Sequence, residues 1–593
     1  MDFSQFYQKI QSILDAELPS GASVVKEGRG IAEDIEIGRT AFMDKMGVTS
    51  ELEYKRQCIK NGHIMYHAHI GMNTWEDTAD ALTHLYRVAE ESRFVVDRAG
   101  LCLDRRMALP RNNRDRIPAE TGPMLETDEQ WLQVGREVPI QPHMGDFMIG
   151  FPASVDNTIH ALKAGVTTIG NLSQFFAHEA PMWADTVATT VETVKAMSIT
   201  GAMRDRGVMV HSYLEDGYAA LFHDCATVAG WAFLERYIVE ELLDAKLAHC
   251  IGGLTSDPVK RAGWNFALHE IHEQDCIGSM MYGDTISFRS DFSHNRALVA
   301  EYLMWDIMAQ LECPTGTAVL PLPVTEAVRI PSAGEIAEAQ CHGRRIEETA
   351  RRLWPHVDFS SAYDFSAKMC SAGKSVFTKA LEGLREAGVD IRDPVQMLYV
   401  LKKLGPADFE EMFGAGHADE NSSGERQPVV PTDVYTLSRG VIDEYGHMFD
   451  NPESRRLLEG RKILIASTDV HAHAIAIIHD LLSRAGMHIT NLGTEVNPDK
   501  IAQAASSDEV EAILISTHNG MALDYGKHLK IELGKHKVDV PVVMGGVLNQ
   551  KEEAEALPVD VTSQLKELGF YPSPKLEGNF RKLLEHDVML KST

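Results

Sequence analysis

The chain has 593 residues, and 86 acidic against 57 basic side chains give it a net charge of −29. That excess argues against nucleic acid and anionic membrane surfaces as partners. A content of 44% hydrophobic and 24% charged residues is that of a soluble globular protein long enough for several domains.

Residues 1–60 read as a helical extension packed on the outside of the neighbouring domain, from the apolar spacing Phe3-Phe6-Ile10-Ile13-Leu14 and the stretch 32–46. There is no cationic-then-apolar leader and no apolar run long enough to span a bilayer, so a cytoplasmic location is expected. From about Gly62 a regular alternation begins. Strands are predicted at 64–69, 94–97, 139–143, 167–170, 208–212, 248–252, 278–282 and 318–322. Helices are predicted between most of them, for example at 154–164, 185–206, 226–245, 258–273, 293–311 and 334–353. Eight strands with intervening helices fit a (β/α)8 TIM barrel, whose active sites lie at the carboxyl ends of the strands. Two further helices, 367–387 and 394–404, complete a barrel domain over 61–413. The stretch 414–459, rich in Gly, Ser, Pro and acids at its start, reads as a linker. The eight cysteines are scattered from Cys58 to Cys370 without C-x-x-C spacing, which argues against zinc ribbons and iron–sulfur clusters and fits reduced thiols.

Residues 460–593 open on the apolar run Ile463-Leu464-Ile465-Ala466, a buried parallel strand that stops at Ser467-Thr468. Helical periodicity resumes through Ile478, Leu481 and Leu482. Asp469 and His471 therefore sit at the carboxyl end of a first βα unit, where open α/β sheets bind ligands. A carboxylate two residues before a histidine can hold its Nδ1 proton and leave Nε2 for a metal. Ser516 closes the strand 512–516, and Gly545-Gly546 ends the strand 541–544. The competing reading is an ordinary flavodoxin-like domain with a capping aspartate and a surface histidine. His473 is the rival ligand, without an acid two residues before it.

Asp469-Val470-His471-Ala472-His473-Ala474 resembles the D-x-H-x-x-G signature of the cobalamin-binding domains of adenosylcobalamin mutases and methionine synthase, with alanine where the family has glycine. The resemblance implies a flavodoxin-like (Rossmann-type) cobalamin-binding domain. His471 would be the lower ligand to cobalt, Asp469 its orienting acid, and Ser516, Gly545 and Gly546 the contacts to the nucleotide tail. Four barrel segments resemble the catalytic subunit of glutamate mutase: Val138-PIQPHMG, Arg206-GVMVHSYLEDGY, Ala245-KLAHCIGG and Thr317-AVLPLPVTEAVRIP. In that family, arginines on the early strands grip the substrate's carboxylates. Here His69 and His143 stand at those places, and Leu322 stands where a cofactor-contacting lysine would be. Glu326 matches the glutamate that holds the adenosyl ribose. Histidine gives no bidentate fork for a carboxylate, so glutamate is not the expected substrate, though Arg98 or Arg105 could still supply one carboxylate contact.

His67 and His69 flank one residue on the first strand, a spacing that binds metal in amidohydrolase barrels. The preferred reading is a hydrogen-bonding pocket, lined by His67, His69, His143, His178, His211, His249, Gln141, Gln174, Tyr213 and Arg98, because zinc hydrolysis leaves the cobalamin domain without a role. The expected function is an adenosylcobalamin-dependent radical isomerase, a carbon-skeleton mutase acting on a small polar acid or amino acid. Glu326, His69, His143 and His211 are the expected catalytic groups. The alternatives are a corrinoid-dependent methyltransferase, a pyridoxal-phosphate aminomutase, whose Schiff base cannot be assigned to Lys462, Lys500 or Lys527, and a cobalamin carrier. A small-molecule substrate is the expected partner, with homodimerisation left open.

Overall fold

Eight short strands form the first sheet: β1 (Met65–Ile70), β2 (Arg98–Leu101), β3 (Gln141–Met144), β4 (Thr168–Ile169), β5 (Met209–Tyr213), β6 (Lys246–Ile251), β7 (Met280–Met281) and β8 (Ala318–Val319). They run parallel in the order β7-β6-β5-β4-β3-β2-β1-β8. The seam between β7 and β8 is bridged where Gly278 N donates to the Thr315 carbonyl at 3.1 Å and Thr317 Oγ1 to the Ser279 carbonyl at 2.8 Å. The result, in this computed structural model, is a nearly closed α/β barrel, as the alternation predicted. Helices Trp75–Glu91, Asp128–Arg136, Ser154–Lys163, Thr186–Ala202, Cys225–Arg236, Pro258–Ile271, Phe292–Glu312 and Ala333–Leu353 follow the strands in turn. Several begin at a polar cap written in the sequence. Thr74, Asp185, Asp257, Asp291 and Ser332 each accept a backbone N–H of their helix's first turn.

The second strand lies four residues later than the apolar run Phe94-Val95-Val96 suggested. Asp97 just before it is bonded on both sides, its N donating to the Tyr66 carbonyl and its carbonyl accepting from Gln141 N, each at 3.0 Å, and its carboxylate accepts from Tyr66 N at 2.7 Å and from the Tyr54 hydroxyl at 2.6 Å. Arg98 is the first residue of β2, paired in register with His67.

The amino-terminal helices do more than cover the outside. Helix Glu51–Asn61, capped by Ser50, closes the amino-terminal end of the barrel. Glu51 N donates to Thr167 Oγ1 just before β4 at 3.1 Å, and Lys55 Nζ to the Gly316 carbonyl just before β8 at 2.8 Å. Glu51 and Lys55 are both fully buried. Lys55 Nζ lies 3.4 Å and Arg98 Nε 3.5 Å from Glu51 Oε1, so a carboxylate sits between two cations under the barrel floor. Burial holds the Lys55 ammonium down to about 8.

The structure describes residues 3–119, 121–273, 275–418, 426–449, 452–468, 472–518, 520–550 and 558–574. The chain divides into two units, one of residues 1–326 and 330–433, the other of 434–593 with 327–329. Within the stretch expected as a linker, the described residues 426–433 are bonded to the first unit. Val429 N and Val430 N donate to the Asp224 carboxylate at 2.7 and 3.0 Å, and Cys225 N donates to the Val430 carbonyl at 2.8 Å. Residues 433–445 are a helix. Among the described residues no helix is long and apolar enough to cross a membrane.

The second unit holds β9 (Lys462–Ser467), β10 (His488–Asn491), β11 (Ala512–Thr517), β12 (Val542–Gly546), the antiparallel ribbon of β13 (Asn549–Gln550) and β14 (Val559–Asp560), and β15 (Tyr571–Ser573). The parallel sheet runs β10-β9-β11-β12-β15. Ile463, Ile465 and Leu514 face one cluster with Leu481 and Leu482, while Leu464, Ala466 and Ile513 face another with Ile501 and Leu529. Both faces are covered, which is why the central strands read as unbroken apolar runs.

Candidate functional site

A cavity enclosing about 580 Å³ of empty space, its opening included, lies within the barrel among residues from seven of the eight strands or the loops after them. Of the residues singled out in the sequence, His67, His69, His143, His211, Tyr213 and Arg98 line it, together with Asp146, Asn171, Asp216 and Tyr282, which sequence reasoning did not single out. Alternation along the strands explains the histidines. His67 and His69 share the inner face of β1, and Gly100, beside His69 in register on β2, leaves room for them. A Cβ at Gly100 would come within 2.6 Å of His67 Nε2.

The rings form a wall. His67 and His143 are 6.0 Å apart between ring centres, and His143 and His211 are 4.7 Å apart, edge to face. Burial, and then the Arg98 guanidinium, hold His67, His143 and His211 well below the usual histidine range and His69 down to about 4. All four are therefore neutral imidazoles at physiological pH. His67 Nδ1, His143 Nδ1, both ring nitrogens of His211, and Arg98 Nη2 are buried without a hydrogen-bond partner among the described residues. Buried polar groups are normally satisfied, so these atoms mark where a polar ligand would bond. Asp146 is pushed up to about 6 by burial, against the opposing pull of His178 and a hydrogen bond from Gln174.

Several expected pocket residues lie elsewhere. Gln141 shares the inner face of β3 with His143 but sits one layer lower, where it accepts from Thr40 Oγ1 at 2.9 Å and donates to the Gly165 carbonyl at 3.3 Å. His249 points out of the barrel. Its Nε2 lies 3.2 Å from Glu235 Oε2 and its Nδ1 2.9 Å from His272 Nε2, while the next residue, Cys250, faces the cavity. Glu235 also takes Ser212 Oγ at 2.6 Å and Trp231 Nε1 at 2.9 Å, so His249 belongs to a buried polar network between strand and helix. Gln174 supports the pocket from behind, accepting from Phe147 N at 3.0 Å and donating to Asp146 at 3.4 Å. His178 Nε2 is held by the Asp216 carbonyl at 3.0 Å. Arg105 is buried on the short helix after β2. Glu326, in the loop after β8, lies outside the cavity lining, and burial alone pushes its carboxyl up to about 7.

In the second unit, Ser467, Ser516, Gly545 and Ser573 stand in register across β9, β11, β12 and β15, a row of small residues at the strands' carboxyl ends. Gly546, with φ of +91°, has no room for a side chain, because a Cβ would meet the Thr517 carbonyl oxygen at 2.3 Å. The row includes β9 and β11, where the strand order reverses and doubly wound sheets bind nucleotide-like ligands. This cradle of small residues fits the tail of a cobalamin. Asp469 and His471 lie outside the described residues.

Residues 463–564 match the family model of the B12 binding domain. Two curated proteins are similar to part of the chain. One is the glutamate mutase sigma subunit 1 of Haloarcula marismortui, 34% identical over 84 residues, or 14% of this chain and 56% of that protein. The other is the glutamate mutase sigma subunit of Halobacterium salinarum, 32% identical over 81 residues, or 14% of this chain and 54% of that protein. The chain spans about half the length of these relatives. Its second unit is thus a B12-binding-type domain, carried in one polypeptide with an eight-stranded parallel barrel.

Proposed function

We propose that the chain is an adenosylcobalamin-dependent radical isomerase whose barrel holds a small polar acid or amino acid. The observation that carries this reading is the pairing of a B12-binding-type domain with a barrel cavity where a guanidinium and three neutral histidines keep buried, unpartnered polar atoms. Bound adenosylcobalamin would supply a weak cobalt–carbon bond as the source of hydrogen-abstracting chemistry. Ser467, Ser516, Gly545 and Gly546 would cradle its tail, and His471, oriented by Asp469, would hold its cobalt.

The barrel's own groups do the rest. Arg98 offers Nη2 to one substrate carboxylate from a fixed position on the floor, its Nε facing Glu51. Neutral His67, His143 and His211 donate or accept hydrogen bonds along the substrate without adding charge, and the stacked Tyr213 and Tyr282 rings, 4.8 Å apart between centres, give one flat wall. One guanidinium suits one carboxylate, which separates this pocket from one built for a dicarboxylate such as glutamate. Glu326 would accept the ribose hydroxyls of the adenosyl group.

The test is anaerobic incubation of the full chain with adenosylcobalamin and a panel of small acids and amino acids, read by the absorbance change that accompanies loss of the cobalt–carbon bond. A fitting substrate triggers that change and yields an isomer of itself. Methyl transfer to or from the corrinoid, with no isomer formed, would overturn the reading in favour of a methyltransferase.

A further inference from the structure

Three side chains near the cavity mouth, one of them the expected catalytic group His69, come together from neighbouring strands. His69 comes from β1, Cys102 follows β2 directly, and Asp146 follows β3 by two residues. One ligand atom from each lies within 4.8 Å of the other two, and all three residues are half-buried. Two of them, His69 and Asp146, line the cavity itself. No spacing in the sequence joins them; adjacent parallel strands bring them to one place.

The surroundings orient them as metal ligands are usually oriented. His69 Nδ1 is engaged by the Tyr282 hydroxyl at 2.9 Å, so Nε2 is the nitrogen left to ligate. Asp146 is held by Gln174 Nε2 at 3.4 Å. Such outer partners fix ring orientation and ligand basicity in metal sites. We propose that His69, Cys102 and Asp146 bind one divalent transition-metal ion of zinc's class at the mouth of the barrel.

The donor set selects the ion. A thiolate with an imidazole suits zinc or cobalt(II), whereas magnesium and calcium take oxygen ligands. Three protein ligands leave one tetrahedral position open, the pattern of catalytic rather than structural zinc. A divalent ion with one thiolate and one carboxylate is neutral overall, which lowers the cost of holding it half-buried. His69 and Asp146 both line the cavity, so a substrate carboxylate, hydroxyl or amine held there would be its natural fourth ligand. The site stands on these residues alone and does not depend on the cobalamin reading.

The experiment uses the full chain, free of corrinoid, stripped with a chelator, dialysed and titrated with cobalt(II). Expected is one equivalent bound, with a near-ultraviolet sulfur-to-cobalt charge-transfer band that zinc displaces. Cys102→Ser removes that band, and Asp146→Asn weakens binding at least tenfold. Tyr282→Phe, which leaves all three ligands in place, weakens it roughly ten- to a hundredfold. The proposal is overturned if the sulfur band survives in Cys102→Ser, or if no stoichiometric cobalt or zinc is taken up. Should Cys102→Ser lose its near-ultraviolet circular dichroism, the other two variants decide, and unchanged affinity in both overturns the site.

Discussion

Glu51 shows how much of the barrel floor depends on one carboxylate. It lies between Lys55 and Arg98, all three fully buried. Breaking such an arrangement from one side leaves charge with no counterion, typically at a cost of roughly 3–5 kcal/mol. Glu51→Gln is therefore expected to lower the denaturant midpoint of the barrel markedly, and a loss under about 1 kcal/mol would mean that Arg98 and Lys55 find other partners. In the loop after β8, Glu326 carries a carboxyl raised to about 7 by burial. If it accepts ribose hydroxyls as a carboxylate, turnover rises with pH through that value. Glu326→Gln is expected to lose that limb and to slow cobalt–carbon cleavage roughly ten- to a hundredfold with cobalamin affinity unchanged. Stopped-flow absorbance across pH checks both, and a variant with the parent's profile would remove Glu326 from the site. The inward histidines were legible because His67 and His69 keep the period of two that puts side chains on one face of a strand. His249 was misread because β6, Lys246–Ile251, is buried along its whole length, so its periodicity does not tell inside from outside. Gln141 has the right face but the wrong depth, and depth is not written in a period. Cys102, Asp146 and Tyr282 were missed because the sheet, not the sequence, brings them together.

Among the elements, helix Pro406–Phe413 and residues 429–430 are fastened to the start of helix Cys225–Arg236 by two carboxylates. Glu410 accepts from His223 N at 2.8 Å and Asp224 N at 3.1 Å, and Asp224 in turn accepts from Val429 N and Val430 N. Burial pushes the Glu410 carboxyl up to about 7 from an ordinary value of 4.5. The folded chain thus holds that proton more tightly than the unfolded one. Below pH 4.5 both states carry it and nothing is lost; as pH rises from there through about 7, the folded state must ionise a buried group and stability falls. The shift corresponds to about 3 kcal/mol. Glu410→Gln keeps an acceptor oxygen without the ionisation, so its stability should decline less between pH 5 and pH 8 than the parent's, measured by urea denaturation. Equal declines would show that Glu410 does not titrate in this range. Polarity at the start of the 414–459 stretch suggested a loose linker; residues 426–433 are held in part by the Val429 and Val430 N–H groups meeting the buried Asp224, far away in sequence. Edge strands β10 and β15 were not foreseen either, since the burial of His488–Asn491 and Tyr571–Ser573 is partial and their apolar signal correspondingly weak.

At the scale of the whole molecule, each unit has its own core. The large barrel cluster draws on residues from Phe6 to Val430, and the clusters on the two faces of the second sheet draw on residues from Ile442 to Phe570. A unit with a complete core can unfold cooperatively on its own. A ligand that binds one folded unit stabilises that unit by RT ln(1 + [L]/Kd), about 2.7 kcal/mol at a hundredfold excess over Kd. For a domain of this size that is roughly 5–10 °C in its melting temperature. Calorimetry of the full chain is therefore expected to show two transitions, with hydroxocobalamin, which lacks the adenosyl group, raising only one of them. If His471 holds the cobalt as proposed, His471→Ala should shrink that shift while leaving both transitions in place without ligand. The row of small residues at Ser467, Ser516 and Gly545 gives the complementary variant. Ser516→Leu would fill the cradle and should abolish the shift altogether, whereas loss of His471 leaves the tail contacts intact. A ligand-induced shift of both transitions by the same amount would show instead that the two units unfold as one. An unaltered shift in Ser516→Leu would move the cofactor's tail away from the carboxyl ends of β9, β11 and β12.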